Sequence, residues 1–238
     1  MPVHLQRDIE EIKKKIIALS TLVEENVARA VKSADSRDAS LAAQAIELDA
    51  DIDKQEIVVE DACLKTLALN QPVAADLRFI VAVLKINNDL ERIGDMAVNI
   101  AERAQELCRQ DKPETAFFDW HAMVEKVRLM LKKSLDSLIS LDPALAQSVC
   151  ASDDEIDAMN RDMFTKTIAA LKTRPDSAEY LIHLLSISRH LERIADHATN
   201  IAEDVLYMTE GYIVRHGGMR YTSLVEGRKK AEEQSFRH

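Results

Sequence analysis

Leu90 to Glu102 reads LERIGDMAVNIAE and Leu191 to Glu203 reads LERIADHATNIAE, at an offset of 101 residues. Ten of the thirteen positions are identical, the exceptions being Gly94/Ala195, Met96/His197 and Val98/Thr199. Within each stretch Leu90, Ile93, Ala97 and Ile100, or their second-copy counterparts, recur at the three-and-four spacing of one buried helix face. The chain is therefore a tandem repeat built on an amphipathic helix. Charged and amide positions were copied along with the apolar ones. Glu91, Asp95, Asn99 and Glu102, like Glu192, Asp196, Asn200 and Glu203, fall at intervals of four, four and three, a single stripe on a helix.

Working outward, helical periodicity is interrupted at Ser33 to Asp38, Asn70-Gln71-Pro72, Asp111-Lys112-Pro113, Leu141-Asp142-Pro143 and Thr173 to Asp176. Six long helices are predicted between these breaks, at about 4–33, 38–69, 73–110, 115–140, 143–172 and 176–210. Asp142 is expected to cap the helix that opens at Pro143, and Asp176 to cap the last. The halves correspond helix for helix. Pro72 and Pro175 each precede a third helix, and the second helices share DADID (Asp49 to Asp53) and DDEID (Asp153 to Asp157). Short connections force neighbouring helices antiparallel. The predicted fold class is all-α, two tandem up-down-up three-helix bundles related by pseudo-twofold symmetry. Residues 1–112 form the first repeat, 113–210 the second with Pro113 at the junction, and 211–238 a loosely ordered C-terminal tail. That tail holds four of the five glycines together with Arg215, Arg220, Arg228, Lys229, Lys230 and Arg237.

Composition agrees with an all-helical chain: five glycines, five prolines and 4% aromatics in 238 residues leave little from which to build sheets. A net charge of −10 is repelled by phosphate backbones and anionic leaflets, so nucleic acid and bare lipid are excluded as expected partners. Cys63, Cys108 and Cys150 lack CxxC spacing and read as small buried hydrophobes. The opening MPVHLQRDIEEIKKK has no apolar signal region, and the longest apolar run, Phe79 to Leu84, is far too short to span a bilayer. A cytoplasmic chain with no direct membrane insertion is expected.

The acid-x-x-x-acid spacing occurs at four corresponding places: Asp49/Asp53, Glu91/Asp95, Asp153/Asp157 and Glu192/Asp196. Like charges four apart destabilise a helix, so facing pairs should repel unless something positive lies between them. Two readings stand, a solvated face and a metal site. The carboxylate line lies nearly opposite the apolar stripe, as a solvated face would, yet Leu77, Val81 and Leu84 continue the same line about two to four turns earlier, as at the mouth of a groove. Carboxylate-only donors suit hard ions such as Mg²⁺ or Mn²⁺ and clustered Fe. No ExxH accompanies them, so the ferritin-like di-iron arrangement is not matched. Arg92 and Arg193 read as ion-pair partners of the adjacent acids. His197 reads either as an extra ligand or as a surface histidine, and Asn99 and Asn200 as further candidate donors. No nucleophile elbow, phosphate loop or HExxH motif is present.

With these residues in view, Leu69 to Ala104 and Ile187 to Met208, together with LDADID and SDDEID, resemble the PhoU family of phosphate-signalling proteins. The resemblance covers roughly residues 5–210. It implies two three-helix bundles and metal held by paired [ED]xxxD motifs. The implied ligands are Asp49, Asp53, Glu91 and Asp95 at one site and Asp153, Asp157, Glu192 and Asp196 at the other, with Fe, Zn, Mn or Mg as the metal. Many relatives carry His where this chain has Met96, which predicts that the first site has one fewer candidate ligand and is the weaker. The resemblance further implies a non-enzymatic negative regulator of phosphate uptake and of the phosphate-starvation response. Such a protein couples the ATPase subunit of the phosphate ABC transporter to a sensor histidine kinase, and a homodimer is expected. The competing readings are a multinuclear carboxylate metalloprotein with catalytic activity and a metal-independent helical scaffold.

Overall fold

A computed structural model describes residues 3–111, 119–211, 213–215 and 219–221. The first half is three long helices, α1 (Val3–Ser36), α2 (Ala39–Asn70) and α3 (Ala74–Arg109). The second half repeats them as α4 (His121–Ser140), α5 (Pro143–Cys150) with α6 (Asp153–Thr173), and α7 (Ala178–Glu210), the last preceded by a 3-10 turn at Pro175–Ser177. Within each half the helices pack on one another, and among the described residues the most extensive interhelical contact joins α3 to α7 across the halves. One continuous apolar core results, running from Ile12 through Leu90 and Ile93 to Leu191 and Ile194.

Capping chemistry explains several of the boundaries. Asp38 accepts from the amides of Ser40 and Leu41 at the start of α2, and Asp142 accepts from Ala144 and Leu145 at the start of α5, with Pro143 in the first turn as expected. Asp176 does not cap the last helix. It lies inside the 3-10 turn, and Ser177 precedes α7 without a side-chain cap. Arg37, at positive φ after α1, donates to the carbonyls of Leu107 and Gln110 and ties the first turn to the end of α3.

The predicted single helix over 143–172 is two helices. Ser148 and Ser152 turn their hydroxyls back onto the carbonyls of Leu145 and Ser148, which bends the chain. Asp153, Asp154 and Glu155 then favour a fresh N-terminus, where the helix dipole is positive. The fourth helix begins at His121; 115–118 and the junction at Pro113 lie outside the described residues. The tail opens with a short antiparallel pair, β1 (Ile213–Arg215) and β2 (Met219–Tyr221), in which Ile213 faces Tyr221. Cys63 is buried and the other two cysteines half-buried. Burial pushes the Cys63 thiol up to about 12 and Cys150 to about 11, so neither is a thiolate at neutral pH.

The pseudo-twofold relation is visible in side chains. His197 Nδ1 lies 2.8 Å from Asp89 Oδ1, and His190 Nδ1 lies 3.4 Å from Met96 Sδ. Adding 101 to Asp89 and Met96 gives the positions of His190 and His197, so the repeat operator carries one pair onto the other.

Candidate metal centre

The acids of α2 and α3 meet within the first half, and those of α6 and α7 within the second. A Cβ added at Gly94 would lie 3.0 Å from Asp49 Oδ1 and 3.3 Å from Ile52 Cγ2, which places Asp49 directly against the Glu91–Asp95 turn of α3. Burial first, then the charges of Asp53, Asp95 and Glu91, push the Asp49 carboxyl up to about 6. In the second half one carboxylate oxygen each from Asp157, Glu192 and Asp196 lie within 4.8 Å of one another. Burial raises both Glu192 and Asp196; Asp196 and Asp157 push Glu192 up further, and Asp153 and Asp157 do the same to Asp196.

The two clusters differ in ways that trace to single residues. Thr199 Oγ1 donates to Asp153 Oδ1 at 3.1 Å and counteracts the upward push of burial on that carboxyl. Val98 occupies the equivalent place in the first copy and has no hydroxyl, so Asp49 receives no such bond. Arg92 sits 3.5 Å from Glu91 and 3.3 Å from Asp95, the ion-pair role read from the sequence, and it draws the α3 acids toward itself. Arg193 makes no ion pair within 4.0 Å among the described residues. Glu56 is an acid the sequence reading missed. It lies one turn beyond Asp53 and receives Nδ2 of buried Asn87 at 3.1 Å, while Asn87 Oδ1 has no partner among the described residues. Its signal was present in sequence, since Asp49, Asp53 and Glu56 continue one stripe at four and three. In the second copy Asn160 replaces Glu56 and accepts from Ser188 at 2.7 Å.

Three candidate donors lie elsewhere. His197 turns to Asp89 in the α3–α7 seam, neither a cluster ligand nor a free surface histidine, and Asn200 donates to the same carboxylate at 3.3 Å. Asn99 donates to the carbonyl of Asp95 at 2.7 Å, one turn back along its own helix. Position 96, the counterpart of 197, likewise faces the seam. Met96 lies 3.4 Å from His190 there rather than among the first cluster's carboxylates.

The donor set fits a hard cation. It is all oxygen, the carboxyls are half-buried, and their mutual repulsion is what a cation would relieve. The fold also agrees with the comparisons. The sequence profile of the PhoU domain matches residues 16–104 and 121–205. The chain belongs to the PhoU family. It is 35% identical over 228 residues to the phosphate-specific transport system accessory protein PhoU homolog of Pseudomonas putida, covering 95% of this chain and 89% of that one. It is 37% identical to the Aquifex aeolicus homolog, covering 89% and 96%. The crystal structure of PhoU from Pseudomonas aeruginosa superposes with a TM-score of 0.84 at 32% identity, over 87% of this chain and 99% of that one. That of the phosphate transport system regulatory protein PhoU from Streptococcus pneumoniae gives 0.81 at 27% identity, over 89% and 100%. No helix among the described residues is long and apolar enough to cross a membrane.

Two predictions arise from the first PhoU repeat. A carboxyl whose folded pKa is raised contributes stability at low pH, and that contribution is lost as pH climbs through the folded value. Metal-free protein should therefore lose stability between about pH 4 and pH 6–7 on account of Asp49. Asp49→Asn should recover about 1 kcal/mol at pH 7, solvent screening having been allowed for. Thermal unfolding of the chelator-treated variant across pH checks this; an unchanged or lower midpoint at pH 7 contradicts it. Gly94→Ala gains up to about 1 kcal/mol of helix propensity but moves the Asp49 carboxylate by a few tenths of an ångström. The expected result is near-neutral stability with severalfold weaker Mn²⁺ binding at the first cluster alone, measured by calorimetric titration. Unaltered affinity would show that Asp49 does not define the site.

Proposed function

We propose that this PhoU-family chain is a negative regulator of phosphate uptake and of the phosphate-starvation response. It acts as an adaptor between the ATPase subunit of the phosphate ABC transporter and the sensor histidine kinase, from the cytoplasmic side and as a homodimer. The observation that carries the reading is the duplicated carboxylate groove on a rigid, continuous-core scaffold, in a chain whose relatives are named as accessory proteins of the phosphate-specific transport system. Among the described residues no catalytic constellation competes with it: burial keeps the Cys63 and Cys150 thiols protonated, and the buried His197–Asp89 pair is spent on the seam.

In this reading Asp49, Asp53, Glu91 and Asp95 hold one metal centre, and Asp153, Asp157, Glu192 and Asp196 the other, with Fe, Zn, Mn or Mg as the ion. A bound cation supplies positive charge between helices that otherwise repel, and open coordination positions toward a partner. The protein's own contribution is orientation. Thr199 fixes Asp153, and the long helices keep two grooves at a constant separation so that two partners can be held together.

Deletion should give starvation-gene expression at high phosphate, read by a phosphatase reporter, and the wild-type chain should restore repression. Normal repression in a deletion strain lacking any second PhoU-family chain would refute the adaptor role.

A further inference from the structure

One turn beyond Asp53 the two grooves part in chemistry. Glu56 follows Asp53 on the same side of α2, and because helical side chains lean toward the N-terminus of their helix, its carboxylate tilts back toward the Asp53 turn. Burial first, then Glu60 and Asp53, push the Glu56 carboxyl up; burial and Asp95 raise Glu91, and Asp53 and Glu56 add to them. Across the groove stands Asn87, one turn before Glu91 on α3 and only 1% exposed. Its Nδ2 donates to the Glu56 backbone carbonyl at 3.0 Å and to Oε1 at 3.1 Å. A primary amide carries two N–H bonds, so both are spent on this one glutamate, which is held by its backbone and its tip together. The amide's other end points to a missing ligand. Asn87 Oδ1 is buried and has no donor among the described residues, a costly state for an acceptor, and a cation in the groove or a water bound to it would satisfy it.

The second copy has closed this niche. Asn160 stands for Glu56 and Ser188 for Asn87, and the fully buried Ser188 hydroxyl donates to Asn160 Oδ1 at 2.7 Å, a neutral pair. Positive charge also gathers there. Arg161 replaces Ile57 and lies 3.3 Å from Asp157, and Arg189 replaces Asn88 and pulls against the burial that raises Glu192. Building on the metal reading proposed above, we infer that Glu56 is a further ligand of the first metal centre and Asn87 the residue that positions it. The first centre then presents five carboxylates to a hard divalent cation where the second presents four. Cations of this class take about six or more oxygen donors, so a fifth carboxylate occupies an open coordination position and displaces none of the other acids. The Asn87–Glu56 pair is what the first copy keeps and the second has exchanged for a neutral contact.

The test is calorimetric titration of the full chain with Mn²⁺ after chelator treatment, in a Glu192→Gln/Asp196→Asn background that leaves the first centre as the one read. Glu56→Gln is expected to weaken binding about tenfold, and Glu56→Asp, which keeps the charge but shortens the reach, severalfold. Asn87→Leu should weaken it by a similar factor, and Glu56→Gln/Asn87→Leu no more than Glu56→Gln alone, because a residue that acts through another gives a non-additive loss. The metal-free melting temperature of Glu56→Gln should match or exceed that of its parent, which separates a lost ligand from a lost fold. Unchanged affinity in Glu56→Gln overturns the inference and leaves the four-acid reading of the first centre standing. Full affinity in Glu56→Asp beside a loss in Glu56→Gln would make Glu56 a source of field and not a ligand, and additive losses would remove Asn87 from its positioning role. Absence of Mn²⁺ binding by the wild-type chain overturns both the inference and the metal reading beneath it.

Discussion

Replacing Glu192 with Gln and Asp196 with Asn together is expected to weaken Mn²⁺ binding at the second cluster by two orders of magnitude or more, about 2.8 kcal/mol at 1.4 kcal/mol per tenfold. Both carboxyls are raised by burial and by the acids facing them, so their charges in the metal-free protein are costly. Removing them should leave the fold intact and the metal-free protein at least as stable as wild type. Thermal shift against Mn²⁺ concentration separates the two effects. Wild type should gain stability with the logarithm of free metal, and the variant should lose the second-site part of that gain. A variant that binds as wild type would return the stripe to a solvated face.

The second large effect is expected away from the clusters. Asp89 is buried, and its carboxylate takes Nδ1–H of His197 at 2.8 Å and the Asn200 amide at 3.3 Å. His197→Ala deprives a buried carboxylate of its shorter bond, at a cost of about 2 kcal/mol. In a chain of this size that lowers the unfolding midpoint by roughly 4–8 °C. His197→Gln places an amide donor on the same side of the helix and should recover part of the loss. Neither substitution should alter Mn²⁺ stoichiometry. Loss of metal at unchanged stability would place His197 back among the ligands.

How far the sequence carried is clearest at position 197. The motif alignment showed a Met96/His197 difference beside an acid, and adjacency on the chain suggested a ligand. On a helix, however, a neighbour in sequence points about 100° away, and position 197 falls on the α3–α7 seam. That seam is a contact between repeats, and no pattern within either repeat announces it. The fold itself was legible because it rests on local signals: periodicity, prolines between helices and a duplicated motif. The break between α5 and α6 was less so, since Ser148, Ser152 and the acids that follow are each compatible with a helix, and their combined effect decides the outcome. The Val98/Thr199 difference was on display but silent, because its meaning depends on Asp153 lying across the groove. Pairing of the second with the third helix of the same half, which the motif could not decide, follows from Gly94 against Asp49 and Ile52 in the first half and from Asp157 beside Glu192 and Asp196 in the second.

The difference between the clusters bears on the proposed adaptor role. The second offers three oxygens already gathered, with Asp153 steadied by Thr199. The first has a further acid in Glu56 but loses part of its field to Arg92. Under the proposed metal reading, two grooves that differ in this way are expected to fill at different metal concentrations.

The most direct measurement is anomalous X-ray diffraction from crystals of the full chain purified without a metal-affinity tag or chelator, at the absorption edge of the metal found by elemental analysis. The account predicts one peak between α2 and α3 bounded by Asp49, Asp53, Glu91 and Asp95, and one between α6 and α7 bounded by Asp153, Asp157, Glu192 and Asp196. Protein with no stoichiometric metal before or after loading, or peaks that lie away from both carboxylate grooves, would contradict it.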